Sequence, residues 1–369
     1  MSDLPEIAAG SEAADPVEAL RDALSGVLDG LLAAGCGPHH LAAMTWEAGD
    51  PAAFHLSRLP VELAYREVFA GFRPPIDLRP GGRPGLTVRA RYAPPAASSA
   101  APAEREALAH LAREYSPRRQ ADMKALFRQW SRDGAAFRSG QGGLDLAYGP
   151  GRYETLDLYR PAGAKGPAPV WVFVHGGYWQ ASDKAQHAQF ARGLRDAGYA
   201  VAMPNYGLAP DTPLDESLAQ IVAALRFLVR EADALGLDAA RLHLAGHSAG
   251  GQLAAMALLA PEAPPVASAL LLSGLYDLAP LGRLPMGRLL GLDDPARAAR
   301  LGALGHPRPA ARLAFAVGEG ESDAFKDQST RLADAWGAAT PLHAPGHHFG
   351  LLDGLNGGAL LELALETAA

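Results

Sequence analysis

The residues best suited to chemistry lie in Leu242-His243-Leu244-Ala245-Gly246-His247-Ser248-Ala249-Gly250-Gly251. An apolar strand runs into Gly-x-Ser-x-Gly, and a helix read as Gln252 to Leu259 follows. A strand turning this sharply into a helix strains the turn residue and lifts its side chain to the end of the sheet. Glycine is needed on both sides, because a Cβ there would collide with the strand or the helix. The positive end of the helix lies close to the serine oxygen. Ser248 is therefore the candidate nucleophile. The plainer alternative is a glycine-rich structural turn with a bystander serine.

An acyl-transferring serine needs N–H donors aimed at the oxyanion it creates. Val174-His175-Gly176-Gly177-Tyr178-Trp179 follows another buried strand, and its two glycines leave backbone N–H groups free to turn toward a substrate oxygen. Gly176 and Gly177 are candidate donors, with the N–H of Ala249 as a further one. His175 is expected to brace this loop. The base should come late in the chain, after the acid. His348 is the expected base, with its neighbour His347 as rival. The acid is sought after the strand Leu313 to Val317, where Glu319, Glu321 and Asp323 offer carboxylates. Glu321 is the expected acid. Asp323 is expected to cap a helix beginning near Ala324, Glu319 to be solvated, and Asp277 stands as the rival acid.

These groups need a scaffold that gathers strand ends. Val170-Trp171-Val172-Phe173-Val174 is a continuous apolar run, as in parallel strands buried on both faces. Ala200 to Met203, Leu242 to Ala245, Ala269 to Leu272 and Leu313 to Val317 repeat it, with helices between. Leu218, Ile221, Val222, Leu225, Leu228 and Val229 form one helical stripe. The pattern is α/β: a mostly parallel sheet with helices on both faces and its chemistry at the carboxyl ends of the strands. Ahead of it, residues 1–95 read helix, strand, helix, strand: a helix from Pro16, a strand over Leu41 to Trp46, a helix from about Pro60 to Ala70, and an alternating strand over 86–92. Between the two, 96–103 in the Pro/Ala/Ser-rich run reads as a linker. The catalytic domain is expected to span 104–369, with a Leu/Gly/Pro-rich cap around 278–307.

Composition narrows the classes. The 369 residues are 49% hydrophobic and 20% charged, which excludes wholesale disorder. A formal charge of −7 argues against a nucleic acid or an anionic membrane as partner, since both need a basic face. A single cysteine, Cys36, cannot make an intramolecular disulfide or a cysteine metal cage, and it reads as a packing residue. No metal or other cofactor is expected. The acidic start and the lack of a long apolar run give the expectation of a cytoplasmic protein without a signal peptide.

These residues resemble the arylformamidase (kynurenine formamidase) branch of the α/β-hydrolases. The resemblance runs through Glu114-Tyr115-Ser116-Pro117-Arg118, Tyr148-Gly149-Pro150, Glu154 to Tyr159, His175 to Trp179, Asp183-Lys184, Gly246 to Gly251, Ser273 to Leu278, Glu321-Ser322 with Phe325, Gln328-Ser329, and His348-Phe349. It covers about seven-tenths of the chain, and His-Gly-Gly-Tyr-Trp is its most specific motif. It implies Ser248 as nucleophile, Glu321 as acid, His348 as base, and metal-independent hydrolysis of N-formylkynurenine or a similar aryl formamide to formate and the free amine. Tyr178 and Trp179 would wall the aryl pocket. The family usually carries His where Gln252 stands, a departure that bears on substrate. A broad carboxylesterase and a catalytically silent fold used for binding or assembly are the other readings. Residues 1–95 resemble a truncated RidA/YjgF imine-deaminase fold at Gly35-Cys36-Gly37, Tyr65 to Gly71 and Arg73-Pro74. Pro75-Ile76-Asp77 replaces that family's arginine, and its opening strands are not visible, so no deaminase activity is expected. The family's trimers imply an assembly role, as a homo-oligomer.

Overall fold

The computed structural model describes residues 4–55, 59–94, 102–117 and 122–369. By contacts the chain forms two compact units, Met1–Arg105 with Gln180–Ser182, and Glu106–Trp179 with Asp183–Ala369. Most of the expected linker, 96–101, lies outside the described residues, as does Arg118 of the Tyr-Ser-Pro-Arg stretch; Pro102 already begins the helix Pro102–Glu114.

The first unit is α+β. Strands β1 (Glu6–Ser11), β2 (Leu41–Ala48), β3 (Ile76–Pro80) and β4 (Leu86–Tyr92) form one sheet in the order β1-β4-β2-β3. The helix Pro16–Ala33 starts where Asp15 accepts the N–H groups of Val17 and Glu18. Its Leu20, Leu24 and Val27 join Trp46, Tyr65 and Phe69 in a buried cluster. Two strands escape a reading by hydrophobic pattern. Along β1, Glu-Ile-Ala-Ala-Gly-Ser has little β-forming character, yet all six residues pair antiparallel with β4. Along β3, Ile76 and Leu78 alternate with Asp77 and Arg79 over only five residues. An opening strand is therefore present where the sequence suggested none.

The second unit holds an eight-stranded sheet in the order β12-β11-β10-β9-β7-β8-β6-β5. In chain order these are β5 (Leu146–Ala147), β6 (Thr155–Tyr159), β7 (Ala168–Val174), β8 (Ala200–Pro204), β9 (Leu237–His247), β10 (Ser268–Leu272), β11 (Arg312–Gly318) and β12 (Leu342–Ala344). Only β6 runs against the others, pairing antiparallel with β5 and with β8; the remaining pairings are parallel. The apolar-run pattern does not reveal β5, at the edge of the sheet, or its neighbour β6. The helix Leu214–Arg230 buries Leu214, Ile221, Leu225 and Leu228, and packs against β9 and the helix Ala249–Ala257.

Register decides where the chemistry goes. Val174 pairs with Gly246, His247 with Leu272, Leu272 with Ala316, and Gly318 with Ala344. The carboxyl ends of β7, β9, β10, β11 and β12 therefore line up along one rim. The segments leaving it begin at His175, Ser248, Ser273, Glu319 and Pro345. The stretch read as a cap folds into three short helices, Ala279–Gly282, Pro285–Leu289 and Pro295–Leu301.

Candidate active site

Ser248 stands between β9 and the helix Ala249–Ala257 with φ 57° and ψ −121°. That backbone region is costly for a side-chain-bearing residue and persists only where packing imposes it. The flanking glycines show why it is imposed. A Cβ on Gly246 would run into the carbonyl of Gly250, and one on Gly250 into the carbonyls of Val174 and His175. The turn is thus backbone against backbone, and the Ser248 N–H donates to Leu272 O at 2.8 Å. Ser248 is 97% shielded from solvent, at 3% exposure.

The His-Gly-Gly-Tyr-Trp loop lies against this elbow. A Cβ on Gly176 would sit 3.1 Å from Ser248 Cβ and 3.0 Å from His247 O, so only glycine brings the loop backbone this close. Gly177, Tyr178 and Trp179 follow with φ of 113°, 52° and 57°. His175 is buried; its Nδ1 lies 2.8 Å from Gly176 O, and its ring stacks on Tyr206 at 4.5 Å and 17°. The Tyr206 hydroxyl donates to His175 O at 2.9 Å. Burial lowers the pKa of His175 to about 4, which leaves it neutral and suits it to bracing. Trp179 is fully buried, and its indole N–H donates to Gln252 Oε1 at 2.8 Å. Gln252 in turn donates to Leu301 O at 2.7 Å, tying this loop to the last of the three short helices. Tyr178 is half-buried.

On the far strands, His348 Nδ1 lies 2.7 Å from Glu321 Oε2, with both side chains shielded from water. The other carboxylate oxygen, Oε1, accepts from Ser273 Oγ at 2.5 Å and from the Gly318 N–H at 2.7 Å. Burial alone would raise the Glu321 pKa; His348, Ser273 and Gly318 outweigh it and hold the carboxyl below its usual range. The His348 backbone is held beside the elbow, because His247 Nε2 donates to His348 O at 2.8 Å and the two rings lie 4.7 Å apart. Burial, with His348 next to it, drives the pKa of His247 well below the usual value. Phe325 packs on the His348 ring at 4.5 Å.

The alternative groups are placed elsewhere. Asp277 accepts from Arg331 at 3.2 Å and from the Ala279 N–H at 3.1 Å. Glu319 is exposed. His347 Nδ1 accepts the N–H groups of Phe349 and Gly350, and so serves the turn rather than being simply solvated. One expectation is corrected: Asp323 does not cap its helix but is its first residue, with Ser322 at the cap position and the Glu114 carboxylate taking the Ala324 N–H at 3.1 Å. Ser273, His247 and Gln252 were not singled out as site residues from sequence. Ser273 carries a detectable sign only in the structure, a φ of 47° at a strand end. Among the described residues no group of three or more His, Cys, Asp or Glu could hold a metal ion, and no helix is long and apolar enough to cross a membrane.

The BD-FAE family model matches residues 156–265. A kynurenine formamidase of Danio rerio is 32% identical over 143 residues, which is 37% of this chain and 47% of that protein. An isoprenylcysteine alpha-carbonyl methylesterase of Arabidopsis thaliana is 33% identical over 123 residues, 33% of this chain and 29% of that protein. The chain thus spans about half the length of the formamidase, and less of the methylesterase. A crystal structure of a thioesterase candidate from a Silicibacter species superposes with a TM-score of 0.63 at 32% identity, over 69% of this chain and 98% of that one. The imine-deaminase likeness of residues 1–95 finds no support among these similarities. Matched over nearly the whole length of the Silicibacter protein, the chain belongs to the α/β-hydrolase superfamily, with a segment that is arylformamidase-like.

Proposed function

We propose that this serine hydrolase is an arylformamidase, cleaving N-formylkynurenine or a related aryl formamide to formate and the free aromatic amine. The observation that carries the reading is the buried His348–Glu321 pair, 2.7 Å apart, with residue 348 held beside the elbow of Ser248. Glu321 engages Nδ1, which leaves Nε2 as the nitrogen that serves the nucleophile. Ser248 Oγ attacks the formyl carbon as Nε2 takes its proton. The oxyanion is received by the N–H groups of Gly176, Gly177 and Ala249, each donor of this kind being worth about 3–4 kcal/mol. The C–N bond breaks as His348 protonates the leaving nitrogen. Water, activated by the same imidazole, attacks the formyl-enzyme and releases formate.

A formyl group offers almost nothing to bind, so the selectivity has to come from the aryl side. The half-buried Tyr178 supplies aromatic surface next to the oxyanion glycines, whereas Trp179 is fully buried and its indole is taken up by Gln252, so it packs the loop instead of walling an aryl pocket. The likeness to the Danio rerio kynurenine formamidase supports the formamide over other acyl groups. The second reading, a carboxylesterase of broad acyl range, is favoured by the likeness to the Arabidopsis thaliana methylesterase. The two separate on kcat/KM for N-formylkynurenine against short p-nitrophenyl esters. The arylformamidase reading expects the formamide to be at least comparable. An ester preference of about 100-fold, or roughly 2.7 kcal/mol of transition-state binding, decides for the esterase.

A further inference from the structure

Two residues outside the serine and glycine motifs touch both the loop of the oxyanion glycines and the loop and helix that follow Glu321. Glu114 closes the helix Pro102–Glu114, and Tyr115 follows it. The carbonyl oxygen of Tyr115 accepts the phenol O–H of Tyr178 at 2.5 Å, one residue beyond Gly177. The adjacent carbonyl, that of Glu114, accepts the Ser322 O–H at 2.7 Å, one residue beyond Glu321. The Glu114 carboxylate takes the Ala324 N–H, and the Tyr115 hydroxyl lies 2.9 Å from Gln328 Nε2. The Tyr115 ring also meets Phe325, which packs on His348.

These contacts have a mechanical consequence. Successive peptide units are planar and their spacing is fixed. The loop bearing the oxyanion glycines and the loop bearing the acid are therefore pinned to neighbouring points on one rigid segment. The pinned loop needs an outside hold, because Tyr178 and Trp179 both adopt positive φ without being glycine. The Tyr178 hydroxyl supplies that hold.

We propose that Glu114 and Tyr115 are positioning residues, a bracket that sets the spacing between the oxyanion donors and the Glu321–His348 relay. The proposal rests on the catalytic reading given above. A merely structural tether would lower stability and leave the site's geometry alone, whereas a bracket sets the rate of the chemical step. Two loops held through one bracket are also coupled: once either bond is broken the spacing is already lost, and breaking the second adds little.

The test uses the full chain with Tyr178→Phe, Ser322→Ala and the double variant, each removing one hydroxyl. Ser322 makes no side-chain bond to its own helix, so its loss leaves the helix start intact. The measurements are the rate of covalent labelling by a fluorophosphonate, kcat and KM for p-nitrophenyl acetate, and the thermal midpoint. Each single variant is expected to lose about 10-fold in labelling rate and kcat with KM within about twofold, as for a small misplacement of reacting groups. The double variant is expected to lose about 10- to 20-fold rather than the 100-fold of independent sites. Ser322→Thr, which restores the hydroxyl, recovers most of the rate. Multiplicative losses, or singles within twofold of wild type with only the midpoint lowered, overturn the bracket. A wild-type protein that the probe does not label overturns the catalytic reading first, and the bracket with it.

Discussion

At the scale of single residues, the site depends on how one carboxylate divides its two oxygens. Glu321 gives Oε2 to His348 and Oε1 to Ser273 and the Gly318 N–H. A carboxylate with only the imidazole as partner would be free to turn away; two further donors hold its plane. Hydrogen bonds to charged groups contribute about 1.5–3 kcal/mol, so Ser273→Ala is expected to lower kcat/KM by roughly 10- to 100-fold. The variant also removes one of the groups that hold the Glu321 carboxyl down. The pH at which activity falls on the acid side should therefore move upward. An acid limb that stays in place in the kcat/KM profile would remove Ser273 from the relay. At the nucleophile, Ser248→Ala is expected to abolish fluorophosphonate labelling while leaving the thermal midpoint within a few degrees. Persistent labelling of that variant would move the nucleophile elsewhere.

The elements matter through how closely their backbones approach. The elbow exists because β7, β9 and the helix Ala249–Ala257 meet with only glycine between them. Gly250→Ala drives a methyl into two carbonyl oxygens of the neighbouring strand end, and neither is the movable tip of a side chain. The expected result is a loss of well over the usual 1–3 kcal/mol of overpacking, read as little or no soluble folded protein. Gln252 acts between elements: it is the shared partner of the Trp179 indole and the Leu301 carbonyl. Gln252→Leu leaves both buried groups without their partner, at about 1–3 kcal/mol each. Urea unfolding should show roughly 2–4 kcal/mol lost. A midpoint unchanged in urea would mean that water or a neighbour replaces the glutamine. The elbow and the close approach of the Gly176 loop to it were legible in the sequence because glycine spacing reports backbone approach directly. Strands β1, β3 and β6 were not, because they are short and carry few of the apolar residues that mark a doubly buried strand.

Across the whole molecule, buried histidines set the response to acid. Burial lowers the pKa of His175 to about 4 and that of His187, stacked beside it at 5.5 Å, to about 3, against an ordinary value of 6.5. Below the ordinary value the unfolded chain binds protons that the folded chain refuses, so stability falls as pH drops from about 6.5 toward 4. Each such histidine contributes up to roughly 1.4 kcal/mol per pH unit in that window. Glu321 adds its own loss lower down: its folded-state pKa is depressed, so its contribution is present above the ordinary carboxylate range and disappears as pH falls through the depressed value. The urea midpoint should therefore decline from near neutrality, well before carboxylates titrate. His187→Phe, which removes one proton-refusing group, should make that decline shallower. An identical slope in the variant would exclude His187 from the effect.

The line between what could be read and what had to be folded runs through the proposed triad itself. Local spacing identified Ser248, because a strained strand-to-helix turn is a short-range event with its own glycine signature. It also pointed to Gly176 and Gly177, and to a parallel sheet that brings strand ends to one rim. Spacing favoured Glu321 but left Asp277 standing as a rival, since the candidate carboxylates all follow strands or open helices. The choice belongs to packing: the register of β10, β11 and β12 sets Ser273, Gly318 and His348 around a single side chain, and Arg331 takes Asp277 away. The partnership of Glu114 and Tyr115 with loops more than sixty positions away has the same origin. Contacts between distant parts of a chain follow from how the elements stack, and residue spacing along the chain carries no record of them.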